Sequence, residues 1–318
     1  MDNYQLLTYL DAGGAPVAGL RIGSSVYPVG QALSNLTGQK STVHSVLDVL
    51  EAWDRHAGLL REAAQLVIDQ RIPGENIENV RLHAPLLYPG AIYCAGANYS
   101  DHVLEMARAN NHAPDPDPRE LGLKPWHFLK PSRSAVVGHG ATVRRPAASK
   151  KLDWEAELVA VIGRTARDVS PAQALEHVAG YCIANDLSAR DLSRRMQLPA
   201  GSAFRFDWTA HKGFDGSCPL GPWITPADQV GDPQNLAMKL WVNDVIKQDS
   251  NTGQMIFSVA EQIAHLSTMT TLHPGDIVLT GTPAGVGSAR GEFLQPGDCV
   301  AIEIEGLGRL ETRIGQEA

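Results

Sequence analysis

From residue 91 to the C-terminus, short apolar runs follow one another, set off by glycine and proline and only occasionally separated by a helical period. Strands are expected at 157–162, 239–242, 276–280 and 299–304, with helices at 171–178 and 257–267. A doubly wound nucleotide-binding fold needs strand and helix in regular alternation, so this pattern argues against it. A β-dominated α+β domain is expected instead. Two Pro-Gly-Asp turns, Pro274-Gly275-Asp276 and Pro296-Gly297-Asp298, each sit just before an apolar strand.

The first part of the chain reads as a small α/β unit of its own, residues 1–85, ahead of a catalytic domain at 86–318. Strands are expected at 5–10, 17–22 and 25–29, divided by hairpin turns at Gly13-Gly14 and Gly23-Ser24. A helical stretch comes next over 42–70, with Gly58 as its expected break, and 81–89 has the composition of a linker. Residues 110–120 (NNHAPDPDPRE) are polar and proline-rich, which predicts an exposed, mobile loop.

The formal net charge of −8 argues against a nucleic-acid partner, which would call for a basic face. Cys94, Cys182, Cys218 and Cys299 form no C-x-x-C pair and read as reduced, mostly buried thiols. No signal peptide and no apolar stretch of membrane-spanning length is visible, so a soluble cytoplasmic protein is expected, with no membrane partner.

The chemistry concentrates in Leu152-Asp153-Trp154-Glu155-Ala156-Glu157, which runs straight into the apolar strand. Alternate side chains of a strand share a face, so Asp153, Glu155 and Glu157 are expected to point together. Carboxylates that close repel, and burial adds a desolvation cost that a divalent cation would remove. Asp186 adds a further carboxylate from a second segment. Oxygen ligands without neighbouring histidine or cysteine favour Mg²⁺ or Mn²⁺, with Ca²⁺ possible in their place, over zinc. The same spacing also suits solvated residues on an edge strand, and by itself it leaves both readings open.

Six segments occur in order: Cys94-Ala95-Gly96-Ala97-Asn98-Tyr99-Ser100-Asp101-His102-Val103-Leu104-Glu105; Phe128-Leu129-Lys130-Pro131-Ser132; residues 152–163; residues 180–190; Lys212-Gly213-Phe214-Asp215; and Gly281-Thr282-Pro283-Ala284-Gly285-Val286-Gly287. Together they resemble the fumarylacetoacetate hydrolase superfamily, particularly its bacterial and acylpyruvase-like branch, from about residue 91 to the end. The resemblance implies a mixed β-sandwich roll holding one Mg²⁺ or Mn²⁺. It places Glu155, Glu157 and Asp186 as metal ligands, His102 and Glu105 as a catalytic dyad, and Lys212 at the metal. It places Arg190, Thr282, Gly281 and Tyr99 on the substrate side. Homodimerisation is common in such families and is the corresponding expectation. Two departures stand out: Asn98 occupies the position of a fourth acidic ligand in eukaryotic fumarylacetoacetases, and Ser193 follows SARDL where glutamine is frequent.

The residues themselves add to this. His102 and Glu105 are three apart, so on one helix they would be neighbours and the carboxylate would orient the imidazole as a general base. Residues 281–287 match no phosphate-binding motif, but backbone N–H groups of such a turn suit a carboxylate. Residues 106–125, directly after the histidine, are expected to form a lid. The expected reaction is hydrolysis of a carbon–carbon bond in a 2,4-dioxo acid through an enolate. Decarboxylation, hydration or isomerisation of a 2-oxo acid are the alternatives, and a non-catalytic metal- or ligand-binding relative is a remote one.

Overall fold

The computed structural model describes residues 4–316. A large, mostly antiparallel sheet runs through the molecule in the order Glu75–Asn76, Ser25–Pro28, Pro16–Ile22, Tyr4–Leu10, Cys218–Pro226, Val178–Asn185, Ala156–Ile162, Ile277–Leu279, Ile92–Ala95, His127–Lys130. A second sheet, Val245–Asn251, Ala237–Val242, Cys299–Ile304, Gly308–Gly315, Thr142–Arg144, packs on one face of it. The architecture is α+β and strand-dominated, as the run pattern predicts.

The strand Ala156–Ile162 shows why the sheets stack. It is buried along its whole length, and its side chains alternate between two cores. Leu158, Ala160 and Ile162 pack with Met238, Leu240, Val300 and Ile302 of the second sheet. Val159 and Val161 face the other way, into a core with Leu6, Leu20, Trp53 and Leu60 from the first part of the chain. The strands of residues 1–85 are continuous with the main sheet, because Tyr4–Leu10 pairs with Cys218–Pro226 at Leu6 and Ile224. The stretch read as a linker contributes a short strand, Arg81–Leu82, on the edge of Tyr4–Leu10.

Both Pro-Gly-Asp turns use their glycine at positive φ, +89° at Gly275 and +100° at Gly297. In each, the aspartate closes the turn by accepting from the backbone three residues back: Asp276 from His273 at 2.8 Å and Asp298 from Gln295 at 2.7 Å.

Several expectations about helices are corrected. The stretch 42–70 contains two helices, Val46–Glu51 and Trp53–Asp69, and they part at Ala52. Gly58 lies inside the second, with nothing crowding it. Ser45 with Asp48 forms a capping box that starts the first helix at Val46. A helix at Val29–Thr37, burying Val29, Ala32 and Leu33, was not expected. Residues 171–178 make one turn of α-helix, Pro171–Ala174, and a 3-10 turn, and the strand Val178–Asn185 begins where the helix was expected to end.

Helix Ser100–Ala109 carries His102 and absorbs the first part of the expected lid segment. Arg119 fastens the rest of that segment, pairing with Glu261 at 2.7 Å and donating to the Ile256 carbonyl. Cys94, Cys182 and Cys218 are buried free thiols, and Cys299 is partly buried. Among the described residues, no helix is long and apolar enough to cross a membrane.

Candidate active site

Glu155, Glu157 and Asp186 converge, with one oxygen from each lying within 4.8 Å of the others. The strand does not run unbroken through the acidic segment. Leu152–Asp153 pairs with Ser188–Ala189, the strand is interrupted at Trp154-Glu155, and Ala156–Ile162 then joins the main sheet. This break separates Asp153 from the other two. Its carboxylate accepts from Gly287 N at 2.7 Å, Ser288 N at 3.0 Å and Arg190 Nε at 2.8 Å, so it is a scaffold group and lies outside the cluster.

The backbone around the cluster is locked. Glu155 N donates to Asn185 Oδ1 at 3.0 Å, Asp186 N to Glu155 O at 2.9 Å, and Ala156 N to Gln248 Oε1 at 2.9 Å. Gln248 also donates to Thr282 Oγ1 at 2.9 Å and to the Pro283 carbonyl at 2.8 Å, tying the 281–287 turn to the acidic segment.

Three cationic side chains surround the carboxylates. Lys212 Nζ bridges Glu155 at 2.7 Å and Asp186 at 2.5 Å. Lys130 Nζ reaches the other Asp186 oxygen at 2.7 Å, and Arg190 reaches Glu155 at 2.6 Å. Burial opposes ionisation of Glu155, but Lys212 and Arg190 outweigh it and bring its pKa down to about 2. Burial also disfavours the charge on Lys212, yet Asp186 and Glu155 more than compensate, and its pKa is raised.

Glu157 is different. Burial, then Asp186 and Glu155, push its pKa well above the ordinary carboxyl value. Its Oε2 accepts from Gly281 N at 2.6 Å, while Oε1 is buried with no partner. With Asp153, four carboxyl groups face three cationic heads, and Glu157 is the one left without a counter-charge. An orphaned carboxylate oxygen beside two other carboxylates fits a hard divalent cation of the Mg²⁺, Mn²⁺ or Ca²⁺ kind.

A chamber of about 130 Å³ opens over the cluster, lined by His102, Glu155, Glu157, Arg190, Lys212 and Thr282 among others. His102 is half-buried, its Nδ1 is enclosed without a partner, and desolvation lowers its pKa although Glu155 pulls the other way. Glu105, one turn further along the helix, accepts instead from Gly285 N at 2.7 Å. The helical spacing is as expected, but in this conformation the 281–287 turn holds the carboxylate.

Two expected substrate residues point elsewhere. The Tyr99 side chain is fully buried, with its hydroxyl on Met238 Sδ at 3.5 Å in the core between the sheets, outside the chamber lining. Gly281 at φ +96° gives its N–H to Glu157, so its contribution is to the carboxylate and not to the chamber.

The two departures find structural explanations. Asn98 is buried and committed on both ends, donating to the Phe257 and Thr280 carbonyls at 2.9 and 2.8 Å and accepting from Phe257 N at 2.9 Å. Ser193 donates to the Arg190 carbonyl at 2.8 Å. Sequence reasoning missed the roles of Lys130, Gln248, His211 and Trp126, the last a wall of the chamber. His211 lines the chamber with both ring nitrogens unpartnered, its pKa pushed down to about 2 by burial and then by Lys212 and Arg190. A lysine inside the strand His127–Lys130 was the one available signal; nothing marks the other three.

Comparison with known proteins matches the fumarylacetoacetate (FAA) hydrolase C-terminal family model to residues 91–315. The chain belongs to the fumarylacetoacetate hydrolase superfamily. The Xenopus laevis mitochondrial oxaloacetate tautomerase fahd2 is 40% identical over 238 residues, covering 74% of this chain and 69% of its own. The Sphingobium maleylpyruvate hydrolase, solved with manganese(II) and pyruvate, is 30% identical at a TM-score of 0.72, covering 98% of this chain and 100% of its own. The 5-carboxymethyl-2-hydroxymuconate delta-isomerase of Mycobacterium smegmatis is 28% identical at a TM-score of 0.69, again over 98% of this chain and 100% of its own. Superfamily membership thus spans hydrolases, isomerases and tautomerases that share this fold.

Proposed function

We propose that the protein is a divalent-cation-dependent enzyme that hydrolyses a carbon–carbon bond in a small 2,4-dioxo acid. The observation that carries this reading is His102, which lines the same chamber as Glu155 and Glu157 with its Nδ1 enclosed and unpartnered. A cation held by Glu155, Glu157 and Asp186 would supply Lewis-acid polarisation of the 2-oxo acid end of the substrate. The relative solved with manganese and pyruvate supports that pairing of ion and acid.

The chain's own residues define the rest. Arg190 uses two of the five donors of a guanidinium on Asp153 and Glu155, leaving the others for an anionic substrate. Thr282 Oγ1 accepts from Gln248, so its own proton is free to donate to a carboxylate. His102, kept neutral at physiological pH by burial, takes a proton from water. The neutral wall of His211 adds no competing positive charge.

Replacing His102 with alanine should leave Mn²⁺ binding by calorimetry within about twofold and lower kcat by about a hundredfold or more. Wild-type hydrolysis of acylpyruvates by His102→Ala would overturn the assignment. Because the base form is needed and the imidazole pKa is lowered from 6.5, the acid limb of kcat/KM should fall below pH 6.5. An acid limb above that value would point to another group.

Keto–enol tautomerisation of oxaloacetate is the second reading. It is favoured by the Glu105–Gly285 bond, which leaves His102 without an orienting carboxylate, and by the tautomerase relative. Assays with Mg²⁺ or Mn²⁺, and EDTA as control, separate the two: pyruvate release from acylpyruvates against decay of the oxaloacetate enol absorbance.

A further inference from the structure

We infer that a second, larger cavity beside the chamber receives the tail of the substrate, and that this tail is apolar and uncharged; the inference rests on the 2-oxo acid reading of the chamber. The chamber's 130 Å³ falls below the several hundred Å³ usual for a ligand pocket. It holds an acid head and little more. Next to it lies a cavity of about 720 Å³, and the two share Gly96, Ala97 and Trp126 as walls.

Trp126 is the partition. Its ring lies so close over Gly96 that a Cβ there would sit 1.9 Å from it. The ring is held on its other side by an edge-on contact with Trp208 at 5.5 Å. The ring thus lies in contact with the Gly96 backbone and forms the shared wall, and a tail passes from chamber to cavity when Trp126 swings off that glycine.

The far walls explain an otherwise costly exposure. Leu104, Leu121 and Leu123 are 41%, 58% and 55% exposed, and all three line this cavity with Val103, Met255 and Phe257. Large apolar side chains gathered round one concave space suit an apolar occupant. The charges present argue against a second carboxylate on the ligand. Arg119 is spent on Glu261 and the Ile256 carbonyl, and Asp115 and Asp117 stand at the wall. Lys124 is the one cation of the lining without such a commitment, and it is exposed. The substrate class that fits is a 2,4-dioxo acid whose acyl group is a hydrocarbon chain.

The test is calorimetric binding of unreactive 2-oxo monoacids of three, five and eight carbons to the full chain with Mn²⁺, plus an eight-carbon 2-oxo diacid. Each methylene entering the cavity should tighten binding by two- to fourfold, about what burial of a methylene supplies. The diacid should bind more weakly than the monoacid of equal length. In Leu121→Asp, the preference for the eight-carbon acid over pyruvate should shrink at least tenfold; Leu121 is exposed, so the substitution leaves the core intact. Pyruvate binding with no gain on lengthening, or a diacid that binds better, overturns the tail cavity alone. Failure of pyruvate itself to bind overturns the reading of the chamber and this inference with it.

Discussion

Substituting glutamine for Glu157 is expected to make the metal-free protein more stable and, at the same time, inactive. The wild-type carboxylate is 1% exposed, crowded by Asp186 and Glu155, and has one oxygen without a partner. Its folded-state pKa is raised, so between the ordinary carboxyl value and that raised value the folded protein binds more protons than the unfolded chain. Stability must therefore fall as pH rises through this window. A neutral amide keeps the acceptor for Gly281 N and can donate toward the other carboxylates. In EDTA at neutral pH the variant should gain about 1–3 kcal/mol and lose the wild-type pH slope. With Mn²⁺ the ranking reverses. The wild type should gain about 2.7 kcal/mol at a hundred times its Kd, while the variant gains nothing and turns over roughly a thousandfold more slowly. Thermal unfolding with and without the ion, beside a turnover assay, reads all of this. A variant less stable than wild type in EDTA would show that the carboxylates are not in conflict.

Lys130→Met should be among the most destabilising single changes in the chain. The Lys130 ammonium is fully buried and donates to three carbonyls, Lys212 at 2.6 Å, Ser217 at 2.8 Å and Leu187 at 3.2 Å, besides pairing with Asp186 at 2.7 Å. Methionine fills most of the volume but satisfies none of these carbonyls and removes one of the two ammonium groups that hold the buried Asp186 carboxylate. A loss of about 3–5 kcal/mol is expected, read as a lower urea midpoint at unchanged slope. A loss under about 1 kcal/mol would mean that the floor of the site is held by something else. Because Lys130 touches the carbonyl of Lys212 and the side chain of Asp186 together, this one side chain sets the spacing between Asp186 and its counter-charge Lys212.

The legibility of the fold and the site in the sequence divides along physical lines. Strands with a strong apolar pattern, such as Cys299–Ile304, were legible to the residue. The strand Cys218–Pro226 was not: its sequence CPLGPWITP carries three prolines and a glycine, which hide the strand pattern. It forms because its neighbours on both sides, Val178–Asn185 and Tyr4–Leu10, supply the pairing. The spacing of the acids beside an apolar strand left two readings open, and it was the family resemblance that singled out Glu155, Glu157 and Asp186, the three the fold brings together. The coming together of His102 and Glu105 was expected from local spacing, but a tertiary donor, Gly285 N, has claimed the carboxylate. Gln248 was invisible, since its role depends on a hairpin strand crossing the acidic segment 92 residues away. Tyr99 was misplaced for a similar reason: the motif fixes its position in the chain, while the second sheet decides where its ring goes.

The pairing of Leu6 with Ile224 carries a consequence for anyone dissecting the chain. A fragment beginning at residue 86 would bare the edge of Cys218–Pro226 around Ile224 and the apolar underside of Val159, Val161 and Ala179, which Trp53 and Leu60 now cover. Such a fragment would carry every carboxylate and lysine of the site and still be prone to self-association through that naked border. The opening residues thus serve the chemistry from a distance, by keeping its floor dry.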